Sequence, residues 1–493
     1  MVATIDPTTN LASESEKGNQ QQPLKMEPSD SNAPPKYEHD SASGSDGEVP
    51  KGETSDEIGN IFEGQDGKSY RTMTRWGTIF ALLTNQFGIG ALGLPSAFAT
   101  LGLVPALITL FGSALLAWYT GFELYRYSIL HPQCVHIIDL AKAAGGRTWQ
   151  VIVAIGFLIQ VIMFCSSAIV TISIAFNTMT EHAICTVSFM AVAAVISFIL
   201  CVPRTVKFIS RSGPPTVISL VGAVLIVMIS LGFADPVKAP ENWTPTIKAF
   251  NNPGFRNIFN AVLKIVFAYA GNHSYVSYMA EMKDPKKDFP FSLTWLIVLT
   301  TAFYTMLATG IYCLAGEYTT SPALGSAPHI YAKAAYGVVL PAILTGALAN
   351  GHVGVKYMFI VCMKQMKATG EITSNTVRSW AAWMICTTIF WIIAFILANA
   401  IPIFDSIVSI QSATTYAWFS FGMSGVFYLV SRKGTHFKVG KNIAFFVLNC
   451  GIILFAFFLN GAGLWASLTE MLEIFATGDN VNGTFSCGDN SAL

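Results

Sequence analysis

Beyond residue 70 the chain alternates between long apolar runs and short polar connections. No Asp, Glu, Lys or Arg occurs from Trp76 to Phe122, a run of 47 residues. A single helix needs only roughly 20 apolar residues to cross a hydrocarbon core. Lipid offers backbone polar groups no partner, so runs of this kind predict helices. The turn at Gly102–Pro105 divides the first run in two. Continued along the chain, the pattern predicts an all-α, multi-pass membrane protein of eleven spans. They lie near 76–100, 103–126, 148–178, 183–203, 214–234, 257–281, 289–316, 335–363, 379–400, 404–430 and 442–470. Trp76, Trp118, Trp149 and Trp380 fall at span flanks, where interfacial aromatics gather.

Basic residues orient the spans, because cytoplasmic loops retain Lys and Arg. With the N-terminus inside, inner flanks hold 19 of them and outer loops hold four: Lys238, Lys248, Arg256 and Lys333. An odd span count then leaves the C-terminus outside. The sequons at Asn242 and Asn482 land on that outer face as glycosylation candidates, while Asn272-His-Ser falls mid-membrane. The nine cysteines show no metal spacing. Cys185, Cys313 and Cys487 lie near the outer face and could pair, although buried unpaired thiols are the expectation.

Composition agrees with the pattern. Of 493 residues, 52% are hydrophobic and 12% charged, where soluble domains carry about 25% charged residues; the mean hydropathy is +0.51. A soluble enzyme and a nucleic-acid binder are excluded. The formal charge of zero joins two unlike parts: residues 1–70 hold 14 acidic and 5 basic residues, and the remainder 15 acidic and 24 basic. Three domains follow: an acidic cytoplasmic tail (1–70), a transmembrane domain (71–476) and a short outer tail (477–493). The first is too poor in apolar residues to fold and is expected to be disordered. It lacks the charged-then-apolar start of a signal peptide, so the first span serves as its own insertion signal. Within it, Pro34-Pro35-Lys36-Tyr37 matches the PPxY ligand of WW domains, a handle through which a ubiquitin ligase could trigger endocytosis.

Two spans contain helix breakers at mid-depth. In the first, Gly88, Gly90 and Gly93 precede Pro95, a cluster that unwinds the backbone and opens a second half-helix. Its free N–H groups would make a site for a carboxylate. In the sixth, Gly271, Asn272, His273 and Ser274 interrupt an apolar helix, and polar residues at that depth face a cavity or a partner. The interrupted spans are five apart, so the second five-helix unit runs inverted relative to the first. Paired breaks in inverted halves mark a transporter binding site, and the eleventh span lies outside the repeat.

At this point the chain resembles a family. Gly88-Ile-Gly-Ala-Leu-Gly-Leu-Pro95, the segment Phe267–Asn272 and Glu281-Met-Lys-Asp-Pro285 are similar to the amino acid/auxin permeases, above all to fungal neutral amino-acid permeases of the methyltryptophan-resistance type. The resemblance covers about residues 70–475 and implies the five-plus-five inverted fold. It also implies import of neutral, aliphatic and aromatic, amino acids with protons at the plasma membrane; related permeases also serve the vacuole.

Roles can be assigned on the residues. The substrate carboxylate would meet the backbone of Gly88, Ile89, Gly90, Ala91 and Gly93. The ammonium would meet carbonyls exposed around Phe267, Tyr269, Ala270, Gly271 and Asn272. Phe164, Ser166 and Ser167 of the third span would give side-chain room. No Asp or Glu is expected deep in a span, which argues against cationic substrates. Coupling candidates are His273, whose unperturbed pKa lies nearest neutrality, then Lys264 and Lys356, either of which could instead snorkel to an interface. His352 in the eighth span is a further titratable residue. Asn85 keeps a sodium-driven variant open. No cofactor or metal is expected. Neither the charge rings nor the repeated filter of a channel appear, and a sensor on the same scaffold would carry a folded extension. His131, His136 and Asp139 form the one compact polar trio, with spacing that suits a connector better than a zinc enzyme.

Overall fold

Where the apolar runs lie, the chain is helical. The computed structural model describes residues 73–204, 213–240, 243–372, 374–434, 436, 440–477 and 483–491. The acidic tail with Pro34, Pro35 and Tyr37, and both sequon asparagines, Asn242 and Asn482, lie outside them.

The first predicted span divides into α1 (Arg75–Gln86), α2 (Ile89–Leu92) and α3 (Leu94–Leu101), with α4 (Leu103–Leu130) following directly. Next come α5 (Ile137–Thr180), α6 (Thr186–Cys201) and α7 (Gly213–Phe233). The sixth predicted span is α8 (Phe255–Ala268) and α9 (Asn272–Glu281), followed by α10 (Pro285–Ala315), α11 (His329–Gln365) and α12 (Val377–Ala400). α13 (Phe404–Gln411) continues through π-helical turns at Ser412–Tyr416 and Trp418–Gly422 into α14 (Met423–Ser431), and α15 (Gly440–Thr477) ends the bundle. Among the described residues the one strand-like feature is an isolated bridge between Met73 and Met282.

Each predicted span coincides with helical chain. Among the described residues seven helices qualify alone as membrane spans by length and apolarity (α4, α5, α7, α10, α11, α12 and α15), and α1 with α2–α3, bent by 53°, makes an eighth if the pair is one span. α6 is shorter, and the sixth and tenth spans are interrupted. Buried and exposed faces carry the signature of a lipid solvent. On α12 the outward stripe is Ile385, Ile389, Ile392 and Ile396, while the inward face holds Ala382, Cys386, Phe390 and Ala394.

Caps set several boundaries. Thr74 accepts from Gly77 N at 3.3 Å and Asp284 from Lys287 N at 3.3 Å. Two of the polar trio begin α5: the His136 ring accepts from Ile138 N and the Asp139 carboxylate from His136 N, while His131 caps the end of α4. The third helix therefore starts at Ile137, earlier than the span near 148, and Gly146 (φ 74°, ψ −166°) kinks it before the apolar run.

The helices pack in two groups. α10 packs on α4, α1 and α3, with α8 on α3; α11 packs on α5, α7 and α12, with α6 on α5 and α12. Backbone hydrogen bonds bind the two broken spans at both ends. At one end Met73 N donates to Glu281 O and Lys283 N to Met73 O, both at 3.1 Å. At the other, Leu103 N and Val104 N donate to Lys248 O and Ala249 O at 3.0 Å, and Asn251 N to Leu101 O at 3.1 Å. Gly102 makes this approach possible: its φ is +86°, and a Cβ there would lie 2.9 Å from Asn251 N.

Two expectations are corrected. Cys185 and Cys487 form a disulfide across 302 residues, while Cys313 is free. The segment after α15 returns to the bundle and brings the thiols together: Asn490 Nδ2 donates to Ser173 Oγ at 2.9 Å, Asn177 Nδ2 to Asn490 Oδ1 at 2.7 Å, and Phe485 N to Asn399 O at 3.2 Å. Nor are the spans free of buried carboxylates. α4 continues to Leu130, past the predicted end at 126, so Glu123 is only 4% exposed and accepts from Arg126 Nη1 at 2.7 Å.

Closing so long a loop is the main way a disulfide stabilises a fold, typically by about 2–4 kcal/mol. Cys487→Ser is expected to lower the melting temperature of the purified protein by several degrees while transport persists. An unchanged melting curve would mean that the hydrogen bonds of the strap suffice without the covalent link.

Candidate functional site

The breaks in the first and sixth spans meet. After α1 the chain extends at Gly88 (φ −127°, ψ −154°) and re-enters helix for one turn before Gly93, where Leu94 and Pro95 start α3. Ala91 N reaches Gly88 O at 3.2 Å and Gly93 N reaches Gly90 O at 3.4 Å. Ile89 N–H and Gly90 N–H donate to no protein acceptor among the described residues. Opposite them α8 stops at Ala268 and α9 restarts at Asn272. Gly90 is the contact point: a Cβ there would lie 2.6 Å from Phe267 Cδ1 and 3.1 Å from Ala268 Cα.

Polar side chains hold the breaks together. Asn85 Nδ2 donates to Ser274 Oγ at 2.9 Å, and Gln86 Nε2 to Ala268 O at 3.2 Å. Tyr304 Oη lies 2.8 Å from Gln86 O and 2.9 Å from Ala268 O, a hydroxyl shared between both broken ends. Asn272 Nδ2 bonds Thr120 Oγ1 at 2.9 Å and Ser420 O at 2.7 Å, which anchors the start of α9 to α4 and to the second π-turn.

Between the breaks lies a cavity of about 20 Å³, room for a water molecule or two. The first break contributes Asn85, Gln86, Gly88, Ile89 and Gly90; the second contributes Phe267, Ala268, Ala270 and His273; Phe164, Asn350 and Tyr416 close it. No lining residue is Asp, Glu, Lys or Arg. Phe267 and Tyr416 meet edge to face at 5.0 Å. The His273 ring faces Tyr416 at 5.8 Å and Phe157 at 6.3 Å, and its Nδ1 is buried without a partner. A second, apolar cavity shares Gly88, Ile89 and Phe164 with the first and runs toward Leu220 and Ile343.

Thus eight residues expected at the site line it: Asn85, Gly88, Ile89, Gly90, Phe164, Phe267, Ala270 and His273. Ala91, Gly93, Gly271 and Asn272 frame the breaks without lining the cavity. Tyr269 turns away to Thr301, at 3.0 Å. Ser166 and Ser167 bond carbonyls of their own helix, at Ile162 and Phe164, so α5 contributes Phe164 instead. His352 reaches Pro203 O at 3.1 Å and Lys356 is exposed; neither lines the cavity. Lys264 does not snorkel. It is 7% exposed, its Nζ lies 2.6 Å from Asp405 Oδ2 and 3.1 Å from Ser96 Oγ, and Ser321 completes the cluster on Asp405. Gln86, Asn350 and Tyr416 line the cavity beyond the expected residues. The two amides lie within apolar runs and carried a signal; Tyr416 carried none.

A membrane helical bundle whose two broken segments face each other across an enclosed, uncharged cavity has the form of a small-molecule carrier. The model of the family "Transmembrane amino acid transporter protein" matches residues 71–469, and the chain belongs to that family. It is 28% identical to the "N amino acid transport system protein" of Neurospora crassa, over 86% of this chain and 90% of that one. It is 24% identical to "Amino acid transporter AVT3B" of Arabidopsis thaliana, over 83% and 96% of the respective chains. A crystal structure of MhsT in complex with L-phenylalanine aligns with a TM-score of 0.52 at 15% identity, over 82% of this chain and 99% of that one, which shows a shared fold. The protein is an amino-acid transporter of the membrane, and its homologues are transporters rather than enzymes.

Proposed function

We propose that the protein imports neutral amino acids, aliphatic and aromatic, by proton symport with alternating access. The cavity carries this reading: it pairs the undonated N–H groups of Ile89 and Gly90 with carbonyl-rich chain at the second break, and it holds no fixed charge. A zwitterion fits such a site because its two ends cancel, whereas a cationic side chain would lack a counter-charge. The carboxylate sits on the first break and the ammonium faces the second. The cavity is now too small for an amino acid, so Phe164, Phe267 or Tyr416 swings aside to admit one. The shared apolar wall at Phe164 offers room for the side chain.

His273 is the first candidate for the coupled proton, since it lines the cavity and keeps an unpartnered ring nitrogen. Lys264 is the second, through its pair with Asp405; the sodium variant would use Asn85. The bundle is read as eleven spans, a five-plus-five inverted repeat with α15 outside it. The N-terminus is cytoplasmic and the Cys185 end extracellular; a disulfide at that end suits an oxidising compartment. The plasma membrane is the favoured location and the vacuole the alternative. Asn242 and Asn482 stay glycosylation candidates, and the Pro34–Tyr37 motif a docking point for a WW-domain ubiquitin ligase.

The test is uptake of radiolabelled phenylalanine and leucine by expressing cells at acid and neutral outside pH, with sodium exchanged for potassium. Uptake is expected to rise at acid pH and to ignore sodium. Dependence on sodium would transfer coupling to the Asn85 region. No uptake despite surface expression would refute import and leave a vacuolar carrier or a sensor.

A further inference from the structure

Counting acceptors at the two breaks narrows where a cation can bind. At the second break most carbonyls are already engaged. Val266 O takes Tyr269 N–H at 3.2 Å, Phe267 O takes Ala270 N–H at 3.1 Å and Tyr269 O takes Gly271 N–H at 2.9 Å. Gly271 O takes Ser274 N–H at 3.2 Å and Ser274 Oγ at 2.9 Å. Ala268 O takes Gln86 Nε2 and faces Tyr304 Oη. The Ala270 carbonyl is engaged by the His273 ring. Asn272 Oδ1 is buried without a partner but lies outside the cavity lining. Among the described residues that line the cavity, Gln86 Oε1, in a residue 6% exposed, is the side-chain oxygen buried without a partner.

The orientation of this amide is fixed by chemistry. Ala268 O can only accept, so the NH2 group must face it, and the oxygen is the free end. The oxygen packs against Gly271, in the space that a side chain there would fill. A buried amide oxygen without a donor is destabilising, and an apolar residue at this position would avoid that cost. Gln86 also lines the cavity, from the strand of chain that leads into the undonated N–H groups of Ile89 and Gly90.

We infer that Gln86 Oε1 is the side-chain acceptor for the α-ammonium group of the substrate. The inference rests on the reading of this cavity as the substrate site. A neutral oxygen suits the task because an acid there would add a net charge to a zwitterion at mid-membrane. The Gln86 amide thereby joins three things: its NH2 ties α1 to the end of α8, its oxygen takes the ammonium, and its backbone leads into the carboxylate site.

The experiment measures binding of radiolabelled leucine to the purified full-length protein in lipid nanodiscs. Unlabelled leucine and its 2-hydroxy analogue, which lacks the ammonium, serve as competitors. In the parent protein leucine is expected to compete far better than the hydroxy acid. Gln86→Met is expected to weaken leucine about 10- to 100-fold, the scale of a lost hydrogen bond to a charged group, while hardly changing the hydroxy acid, so the ratio collapses. Gln86→Glu, protonated, reproduces both ends of the amide and should keep the ratio. An equal loss for both ligands in Gln86→Met, or no loss, overturns the inference. Should Gln86→Met fail to fold, a collapsed ratio in Gln86→Glu overturns it as well. A parent protein that binds no leucine refutes the underlying reading instead.

Discussion

Gly90→Val is expected to abolish amino-acid uptake while the protein still reaches the membrane. A Cβ at Gly90 would lie 2.6 Å and 3.0 Å from the Phe267 ring and 3.1 Å from Ala268 Cα. The ring can rotate, but Ala268 Cα belongs to the end of α8 and cannot move without shifting the second break. Overpacking of this kind costs about 1–3 kcal/mol, and it falls on the contact that sets the distance between the two broken segments. Gly90→Ala should therefore lose about 10- to 100-fold in uptake, and Gly90→Val more. Adding Phe267→Ala to Gly90→Ala removes the ring clash alone, so it should recover only part of the loss. Radiolabelled leucine uptake, normalised to surface protein, decides the matter. Normal transport by Gly90→Val would place the substrate elsewhere.

The second large effect is expected at Lys264. Its ammonium pairs with Asp405 at 2.6 Å and touches Ser96 Oγ at 3.1 Å, joining α8, α13 and α3 one turn from the cavity. Removing one partner of a fully buried pair costs about 3–5 kcal/mol, mostly because a charge is left alone. Asp405 keeps 32% of its side chain exposed and retains Ser321 as a donor, so solvent relieves part of the penalty. Lys264→Met is therefore expected to lose about 1–3 kcal/mol, seen as a lower melting temperature and a roughly tenfold or greater fall in uptake. The double variant with Asp405→Asn should be milder than Lys264→Met alone, because the Asp405 carboxylate is no longer left uncompensated. Additive losses in this double-mutant cycle would show that the two side chains act independently.

The sequence disclosed what is local and hid what is assembled. Gly88, Gly90, Gly93 and Pro95 announce a break through their own backbone chemistry, and the polar run from Gly271 to Ser274 does the same inside an apolar helix. Both breaks fall where that chemistry puts them. The partners of these residues do not announce themselves. Lys264 was visible as a cation at depth, but Asp405 stands 141 positions away, at the mouth of a different helix, and nothing near either residue encodes the pairing. Cys185 and Cys487 were visible as neighbours of one membrane face; only the return of the chain after α15 brings them into contact. Ser166 and Ser167 misled for a general reason. A hydroxyl on a membrane helix can satisfy itself on the preceding turn, so polarity at depth does not by itself point to a cavity. Of the three residues expected on α5, only Phe164 lines the cavity.

The backbone ties that join the two broken spans bear on leakage. The link at Met73–Met282 and the link at Leu101–Asn251 fasten α1–α3 and α8–α9 to one another beyond each end of the cavity. Two rods lashed at both tips turn as a single lever: when one pair of tips swings away from the neighbouring helices, the other pair swings toward them. A carrier built this way has no easy posture with both mouths open. Under the proposed symport, the gradient would be protected by the way the chain is stitched, rather than by two gates that must be timed against each other.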